Sequence, residues 1–322
     1  MYKFEEYCKD HRILVLNGSK RLTKYPNITV DRIYRPLHKK WERDMRKIYE
    51  HTSFLDRSRW YGDWSKNCMG YDMVIFINDI RGRDVVEFVQ KRNPDIRTII
   101  YYETTIADED RKAPHFYSGL VIEYVSFDKD DCHRWRDYGM SYNHYYYDYY
   151  DGTIDDLQAK QEHYDVDNDI YFCAYDKKRL DKIIRLGERF DQLGLRRNLI
   201  VVKTPHKHYA TRYKRYLTEE RVPYEKIAEG IYRSKAILDI VEEGQRGITL
   251  RPMESIFYRK KLVTTNPHVK DYDFYHPENV FILGEGRPME ELKTFLQQPY
   301  IDVPRKIVEQ YTAEEWLERF FM

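Results

Sequence analysis

Two rounds of one alternation constrain this chain more than any other feature: short β-branched or aromatic runs, separated by stretches with helical spacing. In the first half the runs are Arg12 to Leu16 (RILVL), Met73 to Asn78 (MVIFIN), Thr98 to Tyr102 (TIIYY) and Leu120 to Phe127 (LVIEYVSF), which read as parallel strands. Between them, His38 to Tyr49 carries Trp41, Met45 and Ile48 at helical spacing, and Arg83 to Arg92 carries Val85, Val86 and Val89 on one face. Strands that alternate with such helices imply an α/β sheet covered on both sides.

After Tyr150 a polar connector, DGTIDDLQAKQEHYDVDND, reads as helical, and a second α/β set begins. Ile170 to Ala174 and Asn198 to Val202 are strands, with a helix over Lys178 to Leu193 between them. Arg212 to Thr218 reads as a short helix, Tyr224 to Glu229 as a short edge strand or turn, Val280 to Leu283 as a strand and Met289 to Leu296 as a helix. The closing segment, Thr312 to Phe321, sets Trp316, Leu317, Phe320 and Phe321 on one face behind Thr312 as N-cap. A chain of 322 residues exceeds most single cores. Two domains are therefore expected, over residues 1–155 and 156–305, with 306–322 as a terminal helix; one large domain is the alternative.

Charged residues make up 34 % and mean hydropathy is -0.81, yet 42 % of residues are hydrophobic, so the chain is globular with a heavily solvated surface. A net charge of +1 argues against bulk nucleic-acid binding. Basic patches at Lys39 to Arg46 and Lys203 to Arg215 read either as solvated faces or as faces toward phosphates or anionic lipid headgroups. Cys8, Cys68, Cys132 and Cys173 are widely spaced, which fits a reduced compartment and no zinc site. No run of about 20 apolar residues occurs, and the first residues lack a long apolar segment. A cytoplasmic protein is expected, with peripheral contact at the inner membrane compatible with its basic patches. The 31 tyrosines are densest at Tyr142 to Tyr150, where half-buried interdomain packing and an aromatic platform for sugar or membrane are both open.

The segment Ser234 to Asn266 carries the chemistry. Ala236 to Val241 is a strand, Gly244 and Gly247 bracket a turn, Thr249 and Pro252 open a helix, and Lys261 to Thr265 returns to the sheet. Strand, glycine turn and helix start together make a phosphate site, because the first backbone N–H groups and the positive end of the dipole meet the anion. Thr249 and Arg251 add donors. Glu254, one turn in, is placed to accept bonds from ribose hydroxyls. Asn17, Gly18 and Ser19 follow the first strand, at the edge where open α/β sheets bind ligands.

GQRGITLRPMESIFYRKKLVTTN resembles the donor-site segment of GT-B glycosyltransferases, in which a glycine turn precedes a helix bearing a glutamate for the nucleotide ribose. It is most similar to bacterial lipopolysaccharide and capsule biosynthesis enzymes. Tyr124 to Tyr147, Asp169 to Ile183 and Pro267 to Leu283 resemble that group in the same order, so the similarity covers about half of the chain. Many of those enzymes carry a longer glycine loop and a spaced glutamate pair; here Glu254 stands at one position and Leu262 at the other. The DVD at Asp165 to Asp167 has the letters of a metal-binding D-x-D motif but lies in a polar connector.

The resemblance implies an α/β protein of two Rossmann-like domains facing a central cleft, the GT-B fold, with the terminal helix crossing back to the first domain. It implies a metal-independent enzyme without cofactor that moves a sugar from a nucleotide-diphosphate donor to a glycan or glycolipid acceptor. Lys177 and Arg179 take the diphosphate role by this resemblance, and Lys203, Gln245, Arg246, Gly247, Thr249, Leu250, Arg251 and Glu254 complete the donor set. Asn17, Gly18 and Ser19 fall on the acceptor side. An inverting enzyme needs a general base, for which Asp79, Glu103, Asp128 and Asp130 stand at strand ends; the first three are carried as catalytic candidates. A sugar-nucleotide epimerase of similar fold and an inactive glycan- or partner-binding module are the alternatives.

Overall fold

The computed structural model describes residues 4–51, 57–78, 82–109, 111–204, 207–241, 246–248 and 250–321. The chain forms two compact units, residues 1–148 with 313–322, and residues 149–312. The first unit contains α1 (Phe4–Asp10), β1 (Ile13–Leu16), β2 (Ile28–Asp31), α2 (Lys40–His51), β3 (Met73–Ile77), α3 (Asp84–Arg92), β4 (Arg97–Tyr102), β5 (Glu123–Ser126), α4 (Lys129–Arg134) and β6 (Ser141–Tyr142). The second contains α5 (Ile154–Ala159), β7 (Asn168–Tyr175), α6 (Leu180–Gln192), β8 (Arg197–Val202), β9 (Leu217–Thr218), α7 (Tyr224–Tyr232), β10 (Ser234–Asp239), α8 (Leu250–Phe257), β11 (Lys261–Thr264), β12 (Val280–Ile282), α9 (Leu292–Gln297) and α10 (Arg305–Glu309). Helix α11 (Ala313–Glu318) belongs to the first unit.

Each unit holds a six-stranded parallel sheet, in the orders β2-β1-β3-β4-β5-β6 and β12-β11-β10-β7-β8-β9. Both are Rossmann-like. In each, the chain starts in the middle, runs to one side and then crosses to the other. The switch points lie between β1 and β3 and between β7 and β10, and ligands of such folds bind outside the strands' carboxyl ends there.

Strand residues alternate between two buried faces. In the first sheet Leu14, Leu16, Val74, Phe76, Ile100 and Tyr102 pack with Val85, Val86 and Val89 of α3. Their neighbours Ile13, Val15, Met73, Ile75, Ile99 and Tyr101 pack with Trp316, Leu317 and Phe320. The terminal segment is tied down further by Arg97, which donates to the Phe320 carbonyl at 2.8 Å, and by Asn143, which donates to that of Trp316 at 2.9 Å. Tyr145 and Tyr146 of the tyrosine-rich stretch enter the same core, whereas Tyr149 stacks on Tyr224 and Tyr150 meets Phe257 in the second unit.

Two expectations change. Tyr224–Tyr232 is a helix rather than an edge strand or turn, opening at Pro223, whose fixed φ suits a helix start. The Thr312 hydroxyl, just before α11, donates to the Glu309 carbonyl at 2.8 Å. Helix α2 exists, but Trp41, Met45 and Ile48 face solvent at 56 %, 37 % and 51 % exposure instead of covering the sheet. Near the amino end of the chain and between β5 and α5 the sequence reading also passed over α1, β2 and β6.

Helix α7 packs on the sheet through Gly230. A Cβ there would lie 2.3 Å from Cε2 of the buried Tyr171 ring. Gly230→Ala is therefore expected to destabilise the second unit by about 1–3 kcal/mol, although alanine is the better helix former. A lower urea midpoint checks this; an unchanged or higher one would show that ring and helix separate freely.

Candidate functional site

At the second switch point the carboxyl ends of β7 and β10 are laced together. Arg179, at the start of α6, donates through Nη1 to the Ile240 carbonyl, through Nη2 to Tyr175 at 2.8 Å and through Nε to Asp176 at 3.3 Å. It braces the sheet edge with the groups assigned to a diphosphate. Lys177 is exposed beside it, with its backbone N–H held by the Thr204 hydroxyl at 3.2 Å. Lys177 and Lys178 both adopt left-handed backbone, with φ of 43° and 67°, a conformation unfavourable for long side chains. The wholly buried Asp176 holds that turn by accepting from the Leu180 N–H at 2.8 Å, Tyr209 at 2.9 Å and Lys207. These bonds hold its carboxyl below the ordinary range against the opposing effect of burial, the largest single influence. Lys203, after β8, pairs with Glu219.

Of the donor loop after β10, Gln245 and Thr249 lie outside the described residues, as do 242–244. Arg246 is exposed and Gly247 buried. The loop is held from β11: Asn266 donates to the Arg246 carbonyl at 3.1 Å, and Thr265 Oγ1 accepts from Val241 N at 3.1 Å. Beneath them the Thr264 hydroxyl donates to buried Asp239 at 2.7 Å. Leu250 and Arg251 start α8.

The Arg251 side chain turns inward. Its Nη2 donates to the Cys173 carbonyl at 2.9 Å and its Nη1 to Glu254 Oε2, while Tyr224 donates to Glu254 Oε1 at 3.0 Å. Glu254 is 0 % exposed. Burial pushes its carboxyl above the ordinary value, opposed by the Arg251 charge and by the hydrogen bonds from Tyr224 and Arg251. Both oxygens placed for ribose thus already have partners, so a ribose must displace or share with Tyr224 or Arg251. Tyr224 lies 30 positions earlier in a helix, beyond any local motif. Tyr232 to Lys235 sits at the amino end of β10, opposite the loop. Asp165 to Asp167 likewise precedes β7, and Asp167 pairs with Arg233.

At the first switch point Asn17 and Asn78 take left-handed backbone, with φ of 64° and 43°, which asparagine tolerates best among non-glycine residues. Gly18 is required by packing, since a Cβ would lie 2.3 Å from Val15 Cγ1. The buried Ser19 hydroxyl accepts from Arg21 N at 3.1 Å. Asn78 and Glu103 bond reciprocally: Nδ2 donates to Glu103 Oε2 at 2.8 Å, and Oδ1 accepts from Glu103 N at 2.7 Å. Burial pushes Glu103 up to about 7, against hydrogen bonds from Tyr146 and Asn78 and with help from the Asp148 charge. Asp148, hydrogen-bonded to Ser19, is itself raised by burial. Tyr146 and Asp148 were not singled out in the sequence; the tyrosine-rich stretch gave no sign that its end folds back on β4.

Asp79 lies outside the described residues. Asp128 is 2 % exposed and caps α4 by accepting from Asp130 N at 2.8 Å, the use a carboxylate commonly has before a helix. Asp131, unremarked in the sequence, is buried beside it and reaches about 7 through burial and the Asp128 charge.

No protein-family profile matches the chain. No curated protein matches it in sequence. Solved structures match in fold. HepE of Anabaena, solved in complex with UDP and glucose, superposes with a TM-score of 0.59 at 10% identity, over 97% of this chain and 98% of that one. A glycosyltransferase from Rickettsia africae gives 0.53 at 11%, over 96% and 88%. AviGT4, a glycosyltransferase involved in avilamycin A biosynthesis, gives 0.50 at 10%, over 97% and 96%. With its two parallel six-stranded sheets, the chain has the paired Rossmann-like fold of GT-B glycosyltransferases.

Proposed function

We propose that the protein is a glycosyltransferase that takes a sugar from a nucleoside-diphosphate donor and passes it to a glycan or glycolipid of the bacterial surface, of lipopolysaccharide or capsule type. The observation that carries this reading is the position of the Arg246–Glu254 segment at the β7/β10 switch point. Diphosphate would meet the N-terminal amides of α8 and the cations Arg246 and Lys177, with Glu254 turned to the ribose. In transfer the anomeric carbon loses its bond to the diphosphate oxygen and gains one to the acceptor oxygen, whose proton needs a base. Glu103, at about 7, has the proton affinity for that task near neutral pH.

Calorimetry with UDP, GDP, ADP and CDP tests the donor site. At least one is expected to bind, and Arg246→Ala with Lys177→Ala is expected to weaken it by about tenfold or more, since each removes a charged contact. Both side chains are exposed, so the fold should survive. Binding of none of the four would overturn the reading. Conversion of a donor sugar in the absence of acceptor would identify an epimerase instead.

A further inference from the structure

No part of Glu254 meets solvent, so a ribose hydroxyl reaches its carboxylate only where a group already bound to it gives way. The two side chains bound to it differ in how readily they leave. Arg251 reaches Oε2 with a charge-assisted bond, is anchored by Nη2 to the Cys173 carbonyl at 2.9 Å and has 12 % of its side chain exposed. Withdrawing it would leave a buried carboxylate without its counter-charge. Tyr224 offers Oε1 a neutral phenol at 3.0 Å. It stands half-buried at the first position of α7, and its ring stacks at 4.5 Å and 30° on Tyr149, itself 48 % exposed. Replacing that O–H by a ribose O–H keeps the carboxylate's charge partner and its number of donors. The phenol is therefore the group that yields.

We propose that Tyr224 is a specificity-determining residue of the donor site: its hydroxyl holds the Glu254 oxygen that a ribose hydroxyl takes when the nucleoside diphosphate binds. This role rests on the reading of the Arg246–Glu254 segment as a donor site, and it names the group that the ribose displaces. A buried carboxylate that only a ribose could satisfy would reject a nucleotide lacking the hydroxyls by a large factor. With Tyr224 in place the ribose gains at Oε1 what the phenol gives up, so discrimination is weak. Without the phenol oxygen, Oε1 loses that donor until a ribose supplies another, and the cost of the loss is recovered only by a nucleotide that carries the hydroxyls.

Calorimetry of the full chain tests this with whichever of UDP, GDP, ADP and CDP binds and with its dideoxy counterpart, which lacks both ribose hydroxyls. The wild-type protein should prefer the ribonucleotide by less than about tenfold. Tyr224→Phe should tighten the ribonucleotide by about tenfold and leave the dideoxy compound within about twofold of wild type. Tyr149→Ala, at an exposed position, removes the ring stacked on the phenol and should tighten the ribonucleotide by about threefold. Urea midpoints show whether each variant is folded, and Tyr149→Ala carries the test if Tyr224→Phe is not. Binding of none of the four nucleotides overturns the donor-site reading and the Tyr224 role with it. Ribonucleotide binding that Tyr224→Phe leaves unchanged or weakens, or a gain shared equally by the dideoxy compound, overturns the Tyr224 role alone.

Discussion

Arg251→Ala is expected to cost the second unit about 3–5 kcal/mol, read as a large fall in its urea midpoint. The reason is what it leaves behind. Glu254 is 0 % exposed, and without the guanidinium its remaining side-chain partner is the Tyr224 hydroxyl. A buried carboxylate with one neutral donor is poorly compensated, and the Cys173 carbonyl loses its Arg251 donor as well. Removing both charges removes that penalty, so Arg251→Leu with Glu254→Leu should recover most of the loss. The deficit also has a pH signature. Burial already raises Glu254, and loss of Arg251 raises it further, so the folded variant binds a proton more readily than the unfolded chain. Stability then rises as pH falls through that folded value, and the gap from wild type narrows toward acid. A single mutant with the wild-type midpoint, or a double mutant as weak as the single, would show that the two groups do not depend on each other.

This dependence also explains how far the site could be read in advance. The start of α8 at Leu250 was legible because proline acts locally, on the backbone of its own segment. That Tyr224 reaches Glu254 depends on α7 being a helix and on β10 lying between the two segments, which no local pattern fixes. Arg179 shows the same limit. Its place after β7 follows from the alternation of strand and helix, and the Tyr175 and Asp176 carbonyls it binds are local, but the Ile240 carbonyl claims its guanidinium only once β10 lies alongside. Strands buried on both faces, such as β3 with five buried residues, announced themselves as continuous apolar runs. Two-residue β6 offers no pattern to detect. Periodicity identified α2 yet assigned its stripe to the wrong side, because spacing defines a face and not what lies against it.

Lys260→Met is expected to stabilise the second unit by about 3 kcal/mol at neutral pH, the second large effect. Lys260 sits between α8 and β11, 6 % exposed, with its Nζ donating to the Tyr232 carbonyl at 2.9 Å. Burial alone lowers it to about 8 from 10.5. Below pH 8 both folded and unfolded chains carry the charge, and the folded chain bears the full cost of burying it. Between about pH 8 and 10.5 the unfolded chain holds a proton that the folded one has released, so wild-type stability gains from this group as pH rises. The advantage of Lys260→Met should therefore be greatest below pH 8 and fade toward pH 10.5. Buried tyrosines lose stability over the upper part of that window, but they do so in both proteins and cancel in the difference. Methionine has similar length and flexibility, and the Tyr232 carbonyl retains the Gln161 Nε2 donor at 3.1 Å, so the substitution strands no acceptor. Paired urea titrations at pH 7 and pH 10 measure the difference. A gap that is absent at pH 7, or that widens by pH 10, would mean that the ammonium is hydrated in the folded protein rather than buried.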